Sequence, residues 1–495
     1  MIKTFNNIIL LMLWFSLISP AQVSSHHFDK FKHRDNISPS NLKLNTKNYK
    51  NLLKKNIFGY LPYWELSSAN IRLDLLSHIA IFDFVLNSDG SLIPPYNWPD
   101  DWLSIINEAQ SNDVKVILTV SNLSLTETDS NLVSSLINNQ SNKNIFFDEV
   151  HDLISDYNLD GINIDFENLK LSERGDPINN FMQELRDSLS TWLIDKELSF
   201  ATPAVNWGNR WKLKELSEIC DYLFIMAYDY HGSWSTNAGP VAPLTGNNNY
   251  SPYNYVRTIS TDYYNVDPIK IILGVPYYGA EWLVDTNDNY ANVNPEGEPN
   301  SNWVGHVDYA DVHYLFADYN YVKFDGISQT TYVLGPQGNK FKLIWMDTSP
   351  SLALKYDFAI ENNFGGIGIW SLGKDGNRTE LWDLIEQKFA DTTTGVEAED
   401  LTNNFILHQN YPNPFNPSTT IKFTVPSNVK RETSNTKLIV YDILGKEVAT
   451  IINNKLLPGH HEVIFDATEL SSGLYFYKLI IGNKHRATKK MLLLK

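Results

Sequence analysis

From Ile57 to Phe389, short apolar runs rich in β-branched residues alternate with longer amphipathic stretches, and that alternation leaves few folds open to the chain. Repeated βα units place their strands in a parallel sheet, because each crossover helix returns the chain to the same edge. The runs read as strands near Ile57 to Pro62, Ser77 to Val85, Val114 to Val120, Gly161 to Phe166, Leu198 to Pro203, Tyr222 to Tyr228, Ile269 to Pro276 and Gly366 to Ser371. Helical candidates lie at Asp100 to Asn112, Asn144 to Tyr157, Ile178 to Asp195, Pro350 to Asn362 and Arg378 to Phe389. About eight strands suit an α/β fold closed as a (β/α)8 TIM barrel, with a doubly wound open sheet as the competing arrangement. The span from about Glu281 to Lys342 is too long for a βα connection and reads as an α+β insertion between strands seven and eight.

The flanks differ in composition. Lys3, an apolar run from Ile8 to Ile18 and Ser19-Pro20-Ala21 read as a signal peptide over 1–21, cut after Ala21. A membrane anchor would need about 20 apolar residues, and no later segment has them, so no transmembrane segment is expected in the mature protein. Residues 22–54 read as a polar tether, in which His26-His27 lacks a third ligand at metal-site spacing. Residues 55–390 hold the barrel and 391–404 a linker around Thr392-Thr393-Thr394-Gly395. Residues 405–495 alternate with period two between turns such as Leu457-Pro458-Gly459, as in a small β-sandwich. A formal charge of -17 repels phosphate backbones and excludes nucleic acid as an expected partner. The sole cysteine, Cys220, leaves stability to packing, and an aromatic share of 13% supplies rings for a cleft.

The fourth strand carries the chemistry. Alternation places Asn163, Asp165 and Glu167 on one face and Ile162, Ile164 and Phe166 on the other. A parallel barrel strand has no solvent-facing side, so the polar face lies inside, with Glu167 at the C-terminal end where barrel enzymes keep their active sites. A surface strand with polar residues outward is the plainer reading. Three inward polar groups would cost several kcal/mol unless they served each other or a substrate. Two carboxyl groups two residues apart repel when both ionise, which favours one holding a proton as a general acid must. Asp165 would orient Glu167 or a substrate amide, and Asn163 would donate to Asp165 from beneath. A metal site is the alternative for paired acids, but two carboxylates without a histidine are few ligands, and neither metal nor cofactor is expected.

Asp160, Asp165 and Glu167 match the D-x-x-D-x-D-x-E pattern, and here the chain resembles glycoside hydrolase family 18, the chitinase and N-acetylglucosaminidase family. Asn163 departs from the usual Asp, as in a branch that includes spore-cortex N-acetylglucosaminidases. Met226-Ala227-Tyr228-Asp229, Gly274-Val275-Pro276-Tyr277-Tyr278-Gly279, Gly365 to Trp370 and Gly59 to Trp64 are family-like at strands six, seven, eight and one. Strand three, Leu118-Thr119-Val120-Ser121-Asn122, lacks the usual S-x-G-G. The resemblance implies Glu167, Asp165 and Tyr228 as catalytic residues, with Asn163, Asp229, Met226, Trp370, Tyr60 and Tyr278 binding substrate. It implies that Tyr228 and Asp229 hold an N-acetyl group, that Trp370 floors the cleaved sugar, and that the 2-acetamido oxygen of the substrate is the nucleophile. The insertion, which carries Trp282, Tyr290, Trp303 and Tyr314, resembles the family's cleft-deepening subdomain. The substrates implied are N-acetylglucosamine glycans: chitin, with peptidoglycan fragments and N-glycans as alternatives. A catalytically silent glycan-binding protein on the same barrel is the rival from another class, and retention of Glu167 speaks against it.

Gln409 to Ile421, Tyr441-Asp442-Ile443-Leu444-Gly445 and Ser472 to Tyr477, with Lys489-Lys490 near the terminus, resemble a type IX secretion sorting domain. That resemblance implies passage through the type IX machinery to the cell surface or medium. A carbohydrate-binding sandwich would instead expose Tyr475 or Tyr477 for stacking.

Overall fold

The computed structural model describes residues 42–45, 52–66, 69–123, 131–167, 169–192, 195–246, 253–293, 302–317, 321–391, 406–407, 410, 412–425, 434–456, 459–482 and 485–495. The expected signal peptide, the His26-His27 pair and most of the linker lie outside them. The chain divides into two compact units, Met1–Asp391 and Thr392–Lys495.

In the first unit seven parallel strands come in order: β1 (Asn56–Pro62), β2 (His78–Leu86), β3 (Lys115–Ser121), β4 (Gly161–Asp165), β5 (Glu197–Pro203), β6 (Tyr222–Met226) and β7 (Ile271–Pro276). An antiparallel sheet follows, made of β8 (Tyr278–Val284), β9 (Trp303–Asp308), β10 (Val322–Asp325), β11 (Thr330–Gln337) and β12 (Lys340–Met346), before β13 (Gly366–Trp370) completes the barrel. The parallel order is β1-β13-β7-β6-β5-β4-β3-β2, and β2 pairs back onto β1. The ring is therefore closed and the open-sheet alternative is excluded. Closure buries each strand on both sides, which is why the strands read as apolar runs: all five residues of β4 are buried.

The ring of helices around the barrel includes α1 (Leu103–Ser111), α2 (Leu132–Asn138), α3 (Gln140–Asp156), α4 (Asp176–Trp192), α5 (Leu213–Ile219), α6 (Tyr255–Thr261), α7 (Ser349–Glu361) and α8 (Glu380–Phe389). The stripe Ile178, Phe181, Met182, Leu185 and Leu189 of α4 is buried at helical spacing, each side chain contributing roughly 1.5–3 kcal/mol. Phe181 meets Phe166 at 6.3 Å and Phe146 of α3 at 5.6 Å, so the apolar face of the fourth strand packs on α4, which packs in turn on α3, and its polar face turns inward. Asn139 caps α3 by accepting from the Ser141 N–H, and Thr348 with Ser351 forms a capping box on α7. Lys43–Asn45 pairs with Asn70–Arg72, and Leu52–Leu53 with Ala390–Asp391, so parts of the segment expected as a polar tether are strands. In the insertion, Trp282 and Tyr290 are buried, Trp303 packs on Trp282 at 5.1 Å, and Tyr314 is exposed. Trp282 and Tyr290 are therefore core residues and do not line the cleft.

Beyond β13, Asp375 is 1% exposed. Burial pushes its carboxyl up to about 7; the Glu65 charge adds to this, while the Trp382 indole and backbone N–H groups oppose it. A folded-state pKa above the unfolded value of 3.8 gives stability that is full below pH 4 and is lost as pH rises through about 7. Asp375→Asn removes that dependence. The melting temperature of the wild type, relative to the variant, should fall between pH 4 and 8, by an amount corresponding to about 2–4 kcal/mol. Parallel melting curves at all pH values would contradict this.

The second unit is a β-sandwich of β14 (Ser418–Val425), β15 (Ser434–Tyr441), β16 (Glu447–Leu456), β17 (Gly459–Asp466), β18 (Gly473–Ile481) and β19 (His485–Leu493). One sheet has the order β16-β15-β18-β19; in the other, β14 lies between Ile406–Leu407 and β17. Ile421, Phe423, Leu438, Val440, Tyr477 and Leu479 form its core. Tyr475 and Tyr477 are buried, so neither is an exposed stacking platform for sugar. Asn410, 2% exposed, donates its N–H to the Tyr477 hydroxyl at 2.7 Å and its amide to Thr419 at 3.0 Å, locking the opening motif onto the sandwich.

Candidate active site

The fourth strand presents its polar face as alternation requires. Asn163 and Asp165 have no exposure and Glu167 has 5%, just past the C-terminal end of β4. Asn163 accepts from the Tyr60 hydroxyl at 2.8 Å and donates to Ser199 of β5 at 2.8 Å. Its orientation is thus fixed by β1 and β5, a correction to the Asp165 partnership expected from the sequence. The reason is geometric: the inward face of a barrel strand meets neighbouring strands at the same height.

Asn122, which sequence reasoning passed over, grips the acid. Its side-chain oxygen accepts from the Glu167 N–H at 2.8 Å and its amide donates to the Glu167 carbonyl at 2.7 Å. Two bonds to one residue's main chain restrict how Glu167 turns out of the strand. Ser121 beside it donates to the buried Asp83 at 2.5 Å. The departure of strand three from the usual sequence therefore still supplies a brace. Asn122→Ala should lower kcat about tenfold with less effect on KM, because it leaves the carboxyl chemistry intact and frees its position. Equal loss of melting temperature and none of kcat would contradict that positioning role.

Two strands along the ring, just past the end of β6, Tyr228 is 3% exposed and packs edge-on to Tyr278 at 6.1 Å. Burial holds the Tyr228 phenol well above its ordinary range, and the surrounding Tyr60, Asp165, Glu167 and Asp229 reinforce this. Tyr60 is raised for the same reasons, by burial first and then by Asp165 and Glu167. Both phenols are hydrogen-bond donors at neutral pH. The Tyr278 hydroxyl donates to Asp229, whose backbone sits in the left-handed region at φ 57°, and His306 of β9 places Nε2 3.9 Å from the same carboxylate. An Asp held in that conformation is strained and aims its carboxylate by virtue of the turn.

Trp370, expected as the floor, is fully buried, with its ring 5.7 Å from Tyr60 and 4.8 Å from Phe82. The open space lies instead over β4, β5 and β6. A cleft of about 900 Å³, mouth included, is lined by Glu167, Met226, Tyr228 and Asp229 together with Arg174, Trp207, Trp211, Trp234 and Tyr253. Of the expected site residues, Glu167, Met226, Tyr228 and Asp229 border this cleft, while Asn163, Asp165, Tyr60 and Tyr278 are packed beneath or beside it. The arrangement can donate a proton from Glu167 and hold a polar substituent between phenols. Among the described residues no cluster of three or more His, Cys, Asp or Glu side chains could hold a metal.

A closed parallel barrel with a carboxylic acid at the end of its fourth strand and an aromatic cleft beside it is the architecture of a sugar-cleaving barrel enzyme. The chain belongs to glycosyl hydrolases family 18, whose model matches residues 56–375, and residues 409–494 match a secretion system C-terminal sorting domain. It is 28% identical over 276 residues to chitinase 1 of Aphanocladium album, covering 52% of this chain and 60% of that one. It is 24% identical over 323 residues to the cortical fragment-lytic enzyme of Bacillus subtilis, covering 63% and 68%. The match to a viral chitinase from Autographa californica nuclear polyhedrosis virus spans 48% of that protein, so the chain covers about half to two thirds of these three relatives. Among solved structures, a Cycas revoluta chitinase in complex with (GlcNAc)3 superposes with a TM-score of 0.59 at 18% identity, covering 67% of this chain and 99% of that one. Among the described residues no helix is long and apolar enough to cross a membrane.

Proposed function

We propose that the protein is a retaining glycoside hydrolase of β-1,4-linked N-acetylglucosamine glycans that uses the substrate's own acetamide as nucleophile. The observation that carries this reading is Glu167 at the open cleft, clasped by Asn122 and backed by the buried Asp165 and Tyr228. Glu167 gives its proton to the leaving oxygen. The Asp165 carboxylate accepts from the acetamide N–H while the Tyr228 hydroxyl donates to its carbonyl, turning that oxygen towards the anomeric carbon. Attack closes an oxazolinium ring and breaks the glycosidic bond. Water activated by the same Glu167 then opens the ring on the face from which the leaving group departed, so configuration is retained. Asp229, Met226, Tyr60, Tyr278, Asn163 and Trp370 shape the pocket around that step. Support comes from the family membership, from phenols that stay protonated, and from a chitinase neighbour in complex with an N-acetylglucosamine trimer. Chitin oligomers are the leading substrate.

Sorting-domain membership supports a route through type IX secretion to the surface or medium, after removal of the amino-terminal signal. The test of the chemistry is the anomer first formed from chitotetraose, followed by proton NMR before mutarotation. The β-anomer is the expected product; the α-anomer would overturn retention.

A further inference from the structure

Behind the brace of the acid lies a buried carboxylate that the proposed reaction does not use. Asp83 of β2 is 1% exposed and stands in an otherwise apolar run, Ile81-Phe82-Asp83-Phe84. Burying a carboxylate costs several kcal/mol unless its bonds offset the loss of water, so an acid in this place calls for a reason. The register of β2 on β3 shifts here: Ile81 pairs with Leu118 and Phe84 with Val120, so two residues of β2 stand opposite Thr119 alone. A bulge of this kind re-aims the side chain it carries, and bulges gather beside active sites. In this chain the Asp83 carboxylate receives the Ser121 hydroxyl at 2.5 Å.

Ser121 ends β3, next to the residue that clasps the acid. Its Oγ donates to Asp83 and accepts from the Leu123 N–H at 3.3 Å, a local turn that holds the residues on both sides of Asn122. Asn122 then binds the Glu167 main chain through its bonds of 2.8 and 2.7 Å. A carboxylate is the strongest acceptor the Ser121 hydroxyl could have, and a hydroxyl so engaged accepts better from Leu123 in turn. Asp83, Ser121 and Asn122 are all buried, and none of them lines the cleft beside Glu167. This chain of bonds therefore bears on where the acid stands and leaves the sugar-binding surface alone.

We infer that Asp83 is a positioning residue for Glu167, acting through Ser121 and Asn122. The inference rests on the reading of Glu167 as proton donor. Asp83→Ala should lower kcat on chitotetraose about 3- to 10-fold with KM nearly unchanged, because a small displacement of the acid weakens proton transfer and spares sugar binding. Asp83→Asn keeps an oxygen for the Ser121 hydroxyl and should recover most of that loss. Ser121→Ala breaks the same bond from its other side, should match Asp83→Ala, and takes its place if Asp83→Ala does not fold. The measurement that decides is a double-mutant cycle with Asn122→Ala in the full chain. With Asn122 already gone, adding Asp83→Ala should change kcat by less than about twofold, since residues that share one route do not add. Losses that multiply overturn the inference, as does an Asp83→Asn no better than Asp83→Ala. An Asp83→Ala that loses melting temperature and keeps its kcat overturns it too, and makes Asp83 a strut between β2 and β3. Glu167→Gln, assayed alongside, separates the two readings: near-normal turnover there removes the proton donor and this inference with it, whereas a large loss there beside an unmoved Asp83→Ala removes the inference alone.

Discussion

Glu167→Gln should lower kcat on chitotetraose by about a thousandfold, within the range that a positioned general acid contributes. The amide has the size of the carboxyl and keeps its place, because the two bonds from Asn122 go to the main chain of residue 167 and not to its side chain. What it lacks is a proton for the leaving oxygen and a base for the water that follows. KM and melting temperature should therefore move little. Near-normal turnover would remove Glu167 from the chemistry, whereas a collapsed melting temperature would show a structural role that its place at the cleft does not suggest.

Asp165→Asn is the second large effect, with kcat expected to fall about 10²- to 10³-fold, the cost of losing one preorganised electrostatic partner. Asp165 has no exposure, lies one strand position short of the acid's neighbour and faces Tyr228, whose raised pKa is caused in part by the Asp165 charge. A neutral amide there no longer favours the positive charge that builds on the acetamide nitrogen as the oxazolinium ring closes. The fold should survive, since Asn163 beneath it is fixed by Tyr60 and Ser199. If the variant lost thermal stability and kept its rate, Asp165 would be a packing residue.

The eight barrel strands were legible because burial on both faces forces continuous apolar runs, and the inward polar face of β4 was legible from period two alone. The helices α2, α5 and α6 escaped notice because each is only seven residues long and carries too few turns for a hydrophobic stripe. β19 was hidden by its own chemistry: Lys489-Lys490 read as a basic terminus, yet the segment pairs along β18 as a sheet edge, where lysine is common. Asn122 was invisible because its role depends on the Glu167 backbone passing beside it, 45 residues further along the chain. The aromatic part of the cleft was missed for the same reason: Arg174, Trp207, Trp234 and Tyr253 come from three connections, after β4, β5 and β6, that only the pairing of those strands brings side by side. Trp370 was located in the right strand, but its closure behind Tyr60 and Phe82 is a property of packing that no motif carries.

The central claim is that the substrate supplies its own nucleophile, and the sensitivity of the rate to the acetamide tests it most directly. Chitobiosides of 4-methylumbelliferone carrying N-acetyl, N-fluoroacetyl or N-trifluoroacetyl on the reacting sugar differ mainly in the nucleophilicity of that carbonyl oxygen. kcat/KM should fall steeply with each step of fluorination. A rate indifferent to fluorine would mean that an enzyme carboxylate attacks instead, and would contradict the mechanism.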